Sequence, residues 1–262
     1  TGAVREVAVT SQTREHRRIS DLTWTDGGRD IWDLVREEQN WERDHQGSFV
    51  TLGETLIWRM PTFTLDDDQI DDAFRRARRM RSLIVDLRGN SGGNSDALKR
   101  AVGYLVPRDV VLDTLHERRR TEVDTVKARH DAFAGDLIVL IDHGSASASE
   151  LLARTVQLQR RGVVIGDVSA GAVMLSRSFL ERAGGQLAVL YTVQITVADA
   201  VMPDGGTLEH IGVQPDERVL PTGLDLATGR DPVLARALQR LGYSTSPEAA
   251  GRMFGPRPWG MW

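Results

Sequence analysis

The chain has 262 residues, of which 40% are hydrophobic and 27% charged, a length and balance typical of a globular protein with a sizeable core. Its formal net charge of −4 argues against a general nucleic-acid-binding protein. It contains no apolar run of about 18 residues, so no transmembrane helix is predicted. The lack of cysteine excludes disulfides, thiolate metal ligands and cysteine nucleophiles.

The first part of the chain shows little order before residue 49. Residues 3–10 alternate like a short strand, and residues 21–47 have so little periodicity that we expect a loop with one short helix. Two short strands are predicted around Gly53, in the stretch FVTLGETLIWRMP. A helix is predicted over 66–80, because its acidic residues come first and its arginines last, as the helix dipole favours.

Strands and helices then alternate. Residues 82–89 predict a buried strand, and residues 95–106 predict a helix that Asn94 or Ser95 caps and Pro107 stops. Residues 109–120 predict a strand that runs into a charged loop.

The second half repeats this alternation. The predicted elements are a buried strand over 136–144, a helix that starts in the serine-rich stretch and ends at Gly162, a buried strand over 163–167, mostly β structure over 186–203, a short strand over 211–219 and a helix over 231–242. Buried strands that alternate with helices predict an α/β fold with a mainly parallel sheet.

Two loops of this sheet carry residues suited to chemistry. In LIVDLRGNSGGNSD, Gly89, Gly92 and Gly93 let the backbone bend and approach a ligand, and N–H groups in such a loop can hold a negative oxygen. A glycine-rich turn between a strand and a helix can also serve only to make the turn. The loop lacks the pattern of a nucleotide-binding P-loop.

The second loop is GSASASE, residues 144–150, which starts a helix after a buried strand. A serine there lies near the positive end of the helix dipole, and the following backbone N–H points to the same side. Glu150 lies three residues after Ser147, which also fits a capping box. Spacing alone leaves a catalytic serine and a helix cap equally open.

Four motifs follow one another along the chain: RGNSGG (88–93), GSASASE (144–150), GDVSAG (166–171) and IGVQPD (211–216). Their order resembles the tail-specific or carboxy-terminal processing serine peptidases, and more closely the branch of that family with the tricorn core and retinoid-binding-protein-like members. The resemblance covers roughly residues 50–220. It implies an α/β fold of the crotonase/ClpP-like spiral type, with β-β-α units.

The resemblance also implies a domain organisation. Residues 1–48 would be the end of a PDZ-like module and a linker, residues 49–222 the catalytic core, and residues 223–262 a C-terminal helix and tail. The partner would be a polypeptide substrate, with no nucleic acid and no membrane span, and self-association is left open. A periplasmic or secreted location is implied, and a cytoplasmic one is left open.

Site roles follow from the same resemblance. It implies that Ser147 is the nucleophile and that the N–H groups of Ala148 and of Gly92 or Gly93 form an oxyanion hole. Ser145 and Ser149 would then have structural roles. No metal and no cofactor is implied.

The activating base is where the sequence departs from the family. Many members have a lysine at the position of Ala172, and arginine cannot replace it because it stays protonated. SAGA, residues 169–172, fits the tricorn-like branch, whose members take a histidine from a segment before the PDZ module, outside this chain. In that branch a glutamate and a serine assist, which points to Glu209 and to Ser169 or a nearby serine.

Two resident histidines, His143 and His210, are further candidates for the base or for a supporting role. The leading interpretation is thus a serine endopeptidase that forms an acyl-enzyme on Ser147. The alternatives are an inactive family member that binds peptides or acts as a scaffold, which Ala172 favours, and an acyl-CoA enzyme of the crotonase type, which GSASASE disfavours.

Overall fold

A computed structural model describes residues 47–183 and 189–254, so the strand predicted over 3–10 and its PDZ interpretation lie outside the described residues. Among the described residues, six strands form the main sheet. In spatial order they are β1 (Ser48–Leu52), β2 (Thr55–Arg59), β3 (Ser82–Asp86), β6 (Asp136–Ile141), β7 (Val163–Gly166) and β10 (Glu217–Arg218). All are parallel except β1, which pairs with β2 in the antiparallel sense. The predicted mainly parallel α/β core is confirmed, and the spiral type stays a prediction.

Helices cover both faces of this sheet. One face packs against α1 (Asp67–Ala77), α2 (Ser95–Leu105) and α3 (Ala148–Leu158), and the other against α5 (Pro232–Arg240) and α6 (Pro247–Gly251). A further short helix is α4 (Gly223–Thr228). Asn94 caps α2, since its side chain accepts a hydrogen bond from the Asp96 N–H at 2.6 Å.

The central strands read as continuous apolar runs because both of their faces are buried. In β3, Leu83 and Val85 point into the cluster with α1 to α3, and Ile84 points into the cluster with α5. All three are at most 1% exposed. Successive side chains of a strand point to opposite faces, so only an unbroken apolar run satisfies both helical layers.

A second, antiparallel sheet has the order β5 (Thr121–Val126), β4 (Val110–Glu117), β9 (Val189–Val201) and β8 (Leu175–Ala183). The strand predicted over 109–120 and the β structure over 186–203 correspond to β4 and β9. The sequence did not predict β5 or β8. The strand predicted over 211–219 shrinks to β10, because Gly212, at φ 72°, makes a turn before it.

The end of α3 differs from the predicted one at Gly162. The helix ends at Leu158 because Arg160 adopts φ 50°, and the N–H of Arg161 donates to the carbonyl of Val156 at 2.9 Å. This is the hydrogen-bond pattern of a Schellman motif, with arginine where glycine is common. Gly162 serves packing instead, since a Cβ there would lie 2.5 Å from the Leu137 carbonyl oxygen.

A buried ion-pair network ties the C-terminal helix α5 to the glycine-rich loop. Arg88 donates to both carboxylate oxygens of Asp86 and both of Asp231, each at 2.8 Å. Burial alone would raise the pKa of Asp231, but the Arg88 guanidinium holds that pKa below its usual range. Asp231 also caps α5 by accepting from the Leu234 N–H. The chain beyond residue 222 is therefore anchored to the predicted catalytic core.

Asp113 is a buried carboxylate that the sequence did not single out. It lies on β4, is 2% exposed, and has one oxygen without a hydrogen-bond partner among the described residues. Burial, together with Asp124 directly opposite on β5, raises its pKa to about 6, while Lys99 partly offsets this. Since the folded pKa lies above the unfolded one, the contribution of Asp113 to stability is greatest below about pH 4 and is lost as the pH rises through about 6.

Asp113→Asn is therefore expected to stabilise the protein relative to wild type at pH 7.5 but not at pH 4. The free energy of unfolding of the variant, relative to wild type, is expected to rise by about 2–3 kcal/mol from pH 4 to pH 7.5, because the pKa is raised by roughly two units. Urea unfolding at both pH values measures it, with the exposed Asp68→Asn as the control. A difference between variant and wild type that does not change with pH would contradict the buried charge.

Candidate functional site

Three loops meet at one edge of the main sheet because β3, β6 and β7 are adjacent and parallel, so that their carboxyl ends lie side by side. The loops are residues 87–94, 142–147 and 167–174. Ligand sites in open α/β sheets lie at this edge. The glycine-rich and serine-rich loops that the sequence singled out are two of the three.

Ser147 starts α3 in a backbone conformation that is rare for a serine, at φ 54° and ψ −116°. Its N–H donates to the Ala172 carbonyl oxygen at 2.9 Å and to Glu150 Oε2 at 3.0 Å. The residue is partly exposed. A strained serine on a sharp strand-to-helix turn is the arrangement of a nucleophile elbow, in which the hydroxyl is presented at the edge of the sheet.

The two neighbouring serines are fully buried, and their hydroxyls are engaged. Ser145 Oγ donates to the Leu87 carbonyl at 2.8 Å, and Ser149 Oγ donates to the Asn90 carbonyl at 2.8 Å. Both bonds join the serine-rich loop to the glycine-rich loop. The geometry fits the structural roles expected for these two residues and separates them from Ser147.

Gly92 lies directly against Ser147. A Cβ at Gly92 would stand 2.7 Å from the Ser147 Cβ and 3.1 Å from the Ala148 nitrogen, and Gly92 adopts φ 97°. Its N–H donates to Asn90 Oδ1 at 2.8 Å. The Gly92 N–H is therefore already engaged inside the protein.

Gly93 and Ala148 differ from Gly92 in this respect. Gly93 forms a parallel β-bridge with Phe63. Its two hydrogen bonds run from the Phe63 N–H to the Gly92 carbonyl and from the Asn94 N–H to the Phe63 carbonyl, so neither uses the Gly93 N–H. Within the described part of the chain, neither the Gly93 N–H nor the Ala148 N–H donates to another group. Each of the two loops thus carries one unengaged backbone donor, in the residue that follows Gly92 or Ser147, and Gly92 and Ser147 are in contact.

The third loop is fastened to the first helical turn by a buried carboxylate. Glu150 is 0% exposed and accepts four hydrogen bonds: from the Ser147 N–H at 3.0 Å, the Ser169 hydroxyl at 2.6 Å, the Gly171 N–H at 2.7 Å and the Ala172 N–H at 2.9 Å. Ser169 Oγ also accepts from the Val213 N–H at 2.6 Å. The Ser169 hydroxyl is therefore engaged on both sides.

Glu209 lies beside the same loop. Its Oε2 accepts from the Val173 N–H at 2.8 Å and the Met174 N–H at 3.2 Å, immediately after Ala172. The side chain of the neighbouring His210 is 88% exposed, with Nε2 4.0 Å from Glu209 Oε1. The backbone N–H of His210 donates to the Gly171 carbonyl at 2.8 Å. The structure thus brings Glu209 and His210 to the loop that contacts Ser147.

The remaining candidate, His143, is exposed on the loop before Ser147. Lys99, one of only two lysines in the sequence, pairs with Asp124 at 2.6 Å, and Ala172 itself is exposed. The described residues contain no group of three or more His, Cys, Asp or Glu that could hold a metal ion. They also contain no helix that is both long and apolar enough to cross a membrane.

Sequence reasoning missed one central residue, Asn90. It is 0% exposed, donates from Nδ2 to the Met60 carbonyl at 2.8 Å, and fixes the Gly92 N–H through Oδ1. Its carbonyl accepts from both Ala146 and Ser149. The sequence signal for Asn90 is the single amide side chain in RGNSGG, a motif whose predicted role depends on its backbone N–H groups.

Comparisons with known proteins identify the relatives of this chain. The sequence model of peptidase family S41 matches residues 55–219. The chain is 29% identical over 147 residues to the chloroplastic C-terminal processing peptidase of Tetradesmus obliquus, over 55% of this chain and 30% of that protein. It is 32% identical over 163 residues to the carboxy-terminal-processing protease of Bartonella bacilliformis, over 58% and 35%.

Among solved structures, the photosystem II D1 C-terminal processing protease superposes with a TM-score of 0.57 at 20% identity, over 78% of this chain and 54% of that one. This likeness concerns the fold. The chain spans about a third of the length of the first curated relatives that it matches.

Proposed function

Since the chain belongs to peptidase family S41, we propose that it is a serine endopeptidase that cleaves extended or C-terminal peptide segments through Ser147. One observation carries the proposal: Ser147 is strained, partly exposed and in contact with Gly92, and the residue that follows each of them, Ala148 and Gly93, has an unengaged N–H group. A structural helix cap would not require this strain or these open donors.

The proposed reaction has two steps. Ser147 Oγ attacks the peptide carbonyl carbon while a base takes the hydroxyl proton, and the carbonyl oxygen becomes negative between the two N–H groups. The C–N bond then breaks, the proton passes to the leaving amine, and an acyl-enzyme remains. Water attacks the ester in the same way and releases the acid. Each oxyanion donor is expected to contribute about 3–4 kcal/mol to transition-state stabilisation.

The proposal narrows the predicted oxyanion donors. Gly92 and Gly93 were alternatives, and the bond from the Gly92 N–H to Asn90 favours Gly93 as the donor and gives Gly92 a packing role. Ser169, whose hydroxyl is engaged by Glu150 and Val213, fits a supporting role through Glu150 rather than direct proton transfer.

For the base that takes the Ser147 proton, we propose several alternative residues. His143 is a candidate because its loop leads into Ser147, and His210 because its backbone N–H binds the loop after β7. Glu209 is expected to orient that loop or a base near it, because it lies beside His210. A histidine from outside this chain, as the tricorn-like branch implies, is the other candidate.

The substrate is proposed to bind as an extended strand at the edge where the three loops meet, since strand addition presents successive carbonyls to a fixed site. The names of the relatives, which describe carboxy-terminal processing, support a substrate segment near a C-terminus.

Covalent labelling with a fluorophosphonate probe tests the proposal. The wild-type chain is expected to be labelled on a single serine, and Ser147→Ala is expected to abolish labelling while thermal unfolding stays unchanged. Ser176→Ala, at an exposed serine on β8, is the matched control and should be labelled like wild type. A full-length protein that is not labelled between pH 6 and 9, or a Ser147→Ala variant that still is, would refute the assignment.

A second candidate function is a peptide-binding or scaffold protein without turnover, and Ala172 in place of the family's lysine favours it. It predicts peptide binding that survives Ser147→Ala, with no cleavage by mass spectrometry at any pH. Membership in a peptidase family argues against the acyl-CoA alternative.

A further inference from the structure

Glu150 is a buried carboxylate held without a cation. Among the described residues no lysine, arginine or histidine forms an ion pair with it, and it is 0% exposed. Burying a carboxylate is unfavourable unless hydrogen bonds to its charged form compensate. Its four donors provide that compensation, which makes each of the four bonds sensitive to a change at the carboxylate.

The four donors belong to two different loops. The Ser147 N–H comes from the turn that starts α3, whereas Ser169, Gly171 and Ala172 come from the loop after β7. Glu150 Oε2 receives the N–H groups of both Ser147 and Ala172, and the Ala172 carbonyl accepts from the same Ser147 N–H. Ser147 is therefore fixed to the third loop directly, through the Ala172 carbonyl, and indirectly, through one carboxylate oxygen of Glu150.

We propose that Glu150 is a positioning residue that holds Ser147 in its strained conformation and keeps the Ala148 N–H directed at the substrate carbonyl. The inference rests on the proposed function of Ser147. Ser147 at φ 54° would relax without an opposing force, and the bond from its N–H to Glu150 opposes that relaxation. The direction of the Ala148 N–H depends on the Ser147 conformation, because this N–H belongs to the peptide unit that joins Ser147 to Ala148.

Glu150→Gln isolates this role because it preserves the volume and removes one acceptor. Each carboxylate oxygen receives two donors, so the NH₂ group of the new amide must face at least one backbone N–H in either orientation. The saturating rate of fluorophosphonate labelling is expected to fall about 10²-fold, as for a reacting group misplaced by about 1 Å, with the half-saturating probe concentration changed less than twofold.

Val156→Ala, on the same helix, is the matched control for loss of stability alone. It removes buried volume about two turns away from Ser147, and its saturating labelling rate should stay within twofold of wild type. If Glu150 were only structural, the two variants would behave alike. Equal labelling rates in Glu150→Gln and wild type would overturn the inference.

Hydrogen exchange gives a readout that does not depend on activity. In Glu150→Gln, the amides of residues 145–150 and 169–173 are expected to exchange at least tenfold faster, while those of β3 stay unchanged. Unchanged exchange in both segments would overturn the positioning role. A wild-type protein that shows no labelling refutes the proposed function instead, and the exchange result still decides the role of Glu150.

Discussion

Gly92→Ala is expected to lower the rate of Ser147 acylation by about 10²- to 10³-fold, the loss typical of one removed oxyanion donor. The new Cβ would lie 2.7 Å from the Ser147 Cβ and 2.9 Å from the Ala146 carbonyl oxygen, distances at which one of the two loops must move. Gly92 also adopts φ 97°, which alanine disfavours. Either response displaces Ser147 relative to the Gly93 N–H.

The second-order rate constant of fluorophosphonate labelling measures this effect, together with cleavage of unfolded casein on gels. Gly223→Ala is the matched control, because a Cβ at Gly223 meets nothing within 4 Å and its labelling rate should equal that of wild type. A Gly92→Ala variant that labels as fast as the control would mean that the two loops do not act as one site.

The core of the fold was predictable because it depends on local patterns. Strands β3, β6 and β7 are short apolar runs bounded by polar residues, and both of their faces are buried, so composition alone indicates them. The helices between them carry caps and apolar residues at helical spacing. Neither feature requires knowledge of distant contacts.

The second sheet was not predictable in the same way. The sequences of β5, TEVDTV, and β8, LSRSFLERA, are largely polar or charged, and most side chains of β5 are exposed. These strands are edges of the sheet and gain their structure from pairing with β4 and β9. β-propensity depends on such cross-strand neighbours, which a single segment does not reveal.

At the site, motif order indicated Ser147 and the glycine loop, but not how the donors are distributed. Whether Gly92 or Gly93 keeps an open N–H depends on the side chain of Asn90, two residues away, in one particular rotamer. The hydrogen bond that engages the Ser169 hydroxyl depends on Glu150, 19 residues earlier. Such contacts arise only when the three loops meet at the sheet edge.

Ala172→Lys is expected to raise the rate of Ser147 acylation at least about 10²-fold at pH 9, the lower range for an added general base. Residue 172 is exposed, and its carbonyl accepts the Ser147 N–H at 2.9 Å, so its backbone adjoins Ser147 and we expect a four-carbon side chain there to reach the serine hydroxyl. A lysine acts as a base only when neutral, so the gain should increase from pH 7 to pH 9. Labelling rates across this range measure it.

Ala172→Arg separates proton transfer from charge. Arginine has similar length and the same charge but stays protonated, so it can attract the probe without accepting the serine proton. If the labelling rate rises equally in both variants, the positive charge alone causes the increase, and the lysine does not act as a base for Ser147. If only the lysine variant gains, the other parts of the site, Ser147 and the N–H groups of Gly93 and Ala148, are already competent. The activating group is then the part of the proposed mechanism that Ala172 does not supply, at the position where the resemblance implies a lysine in many members.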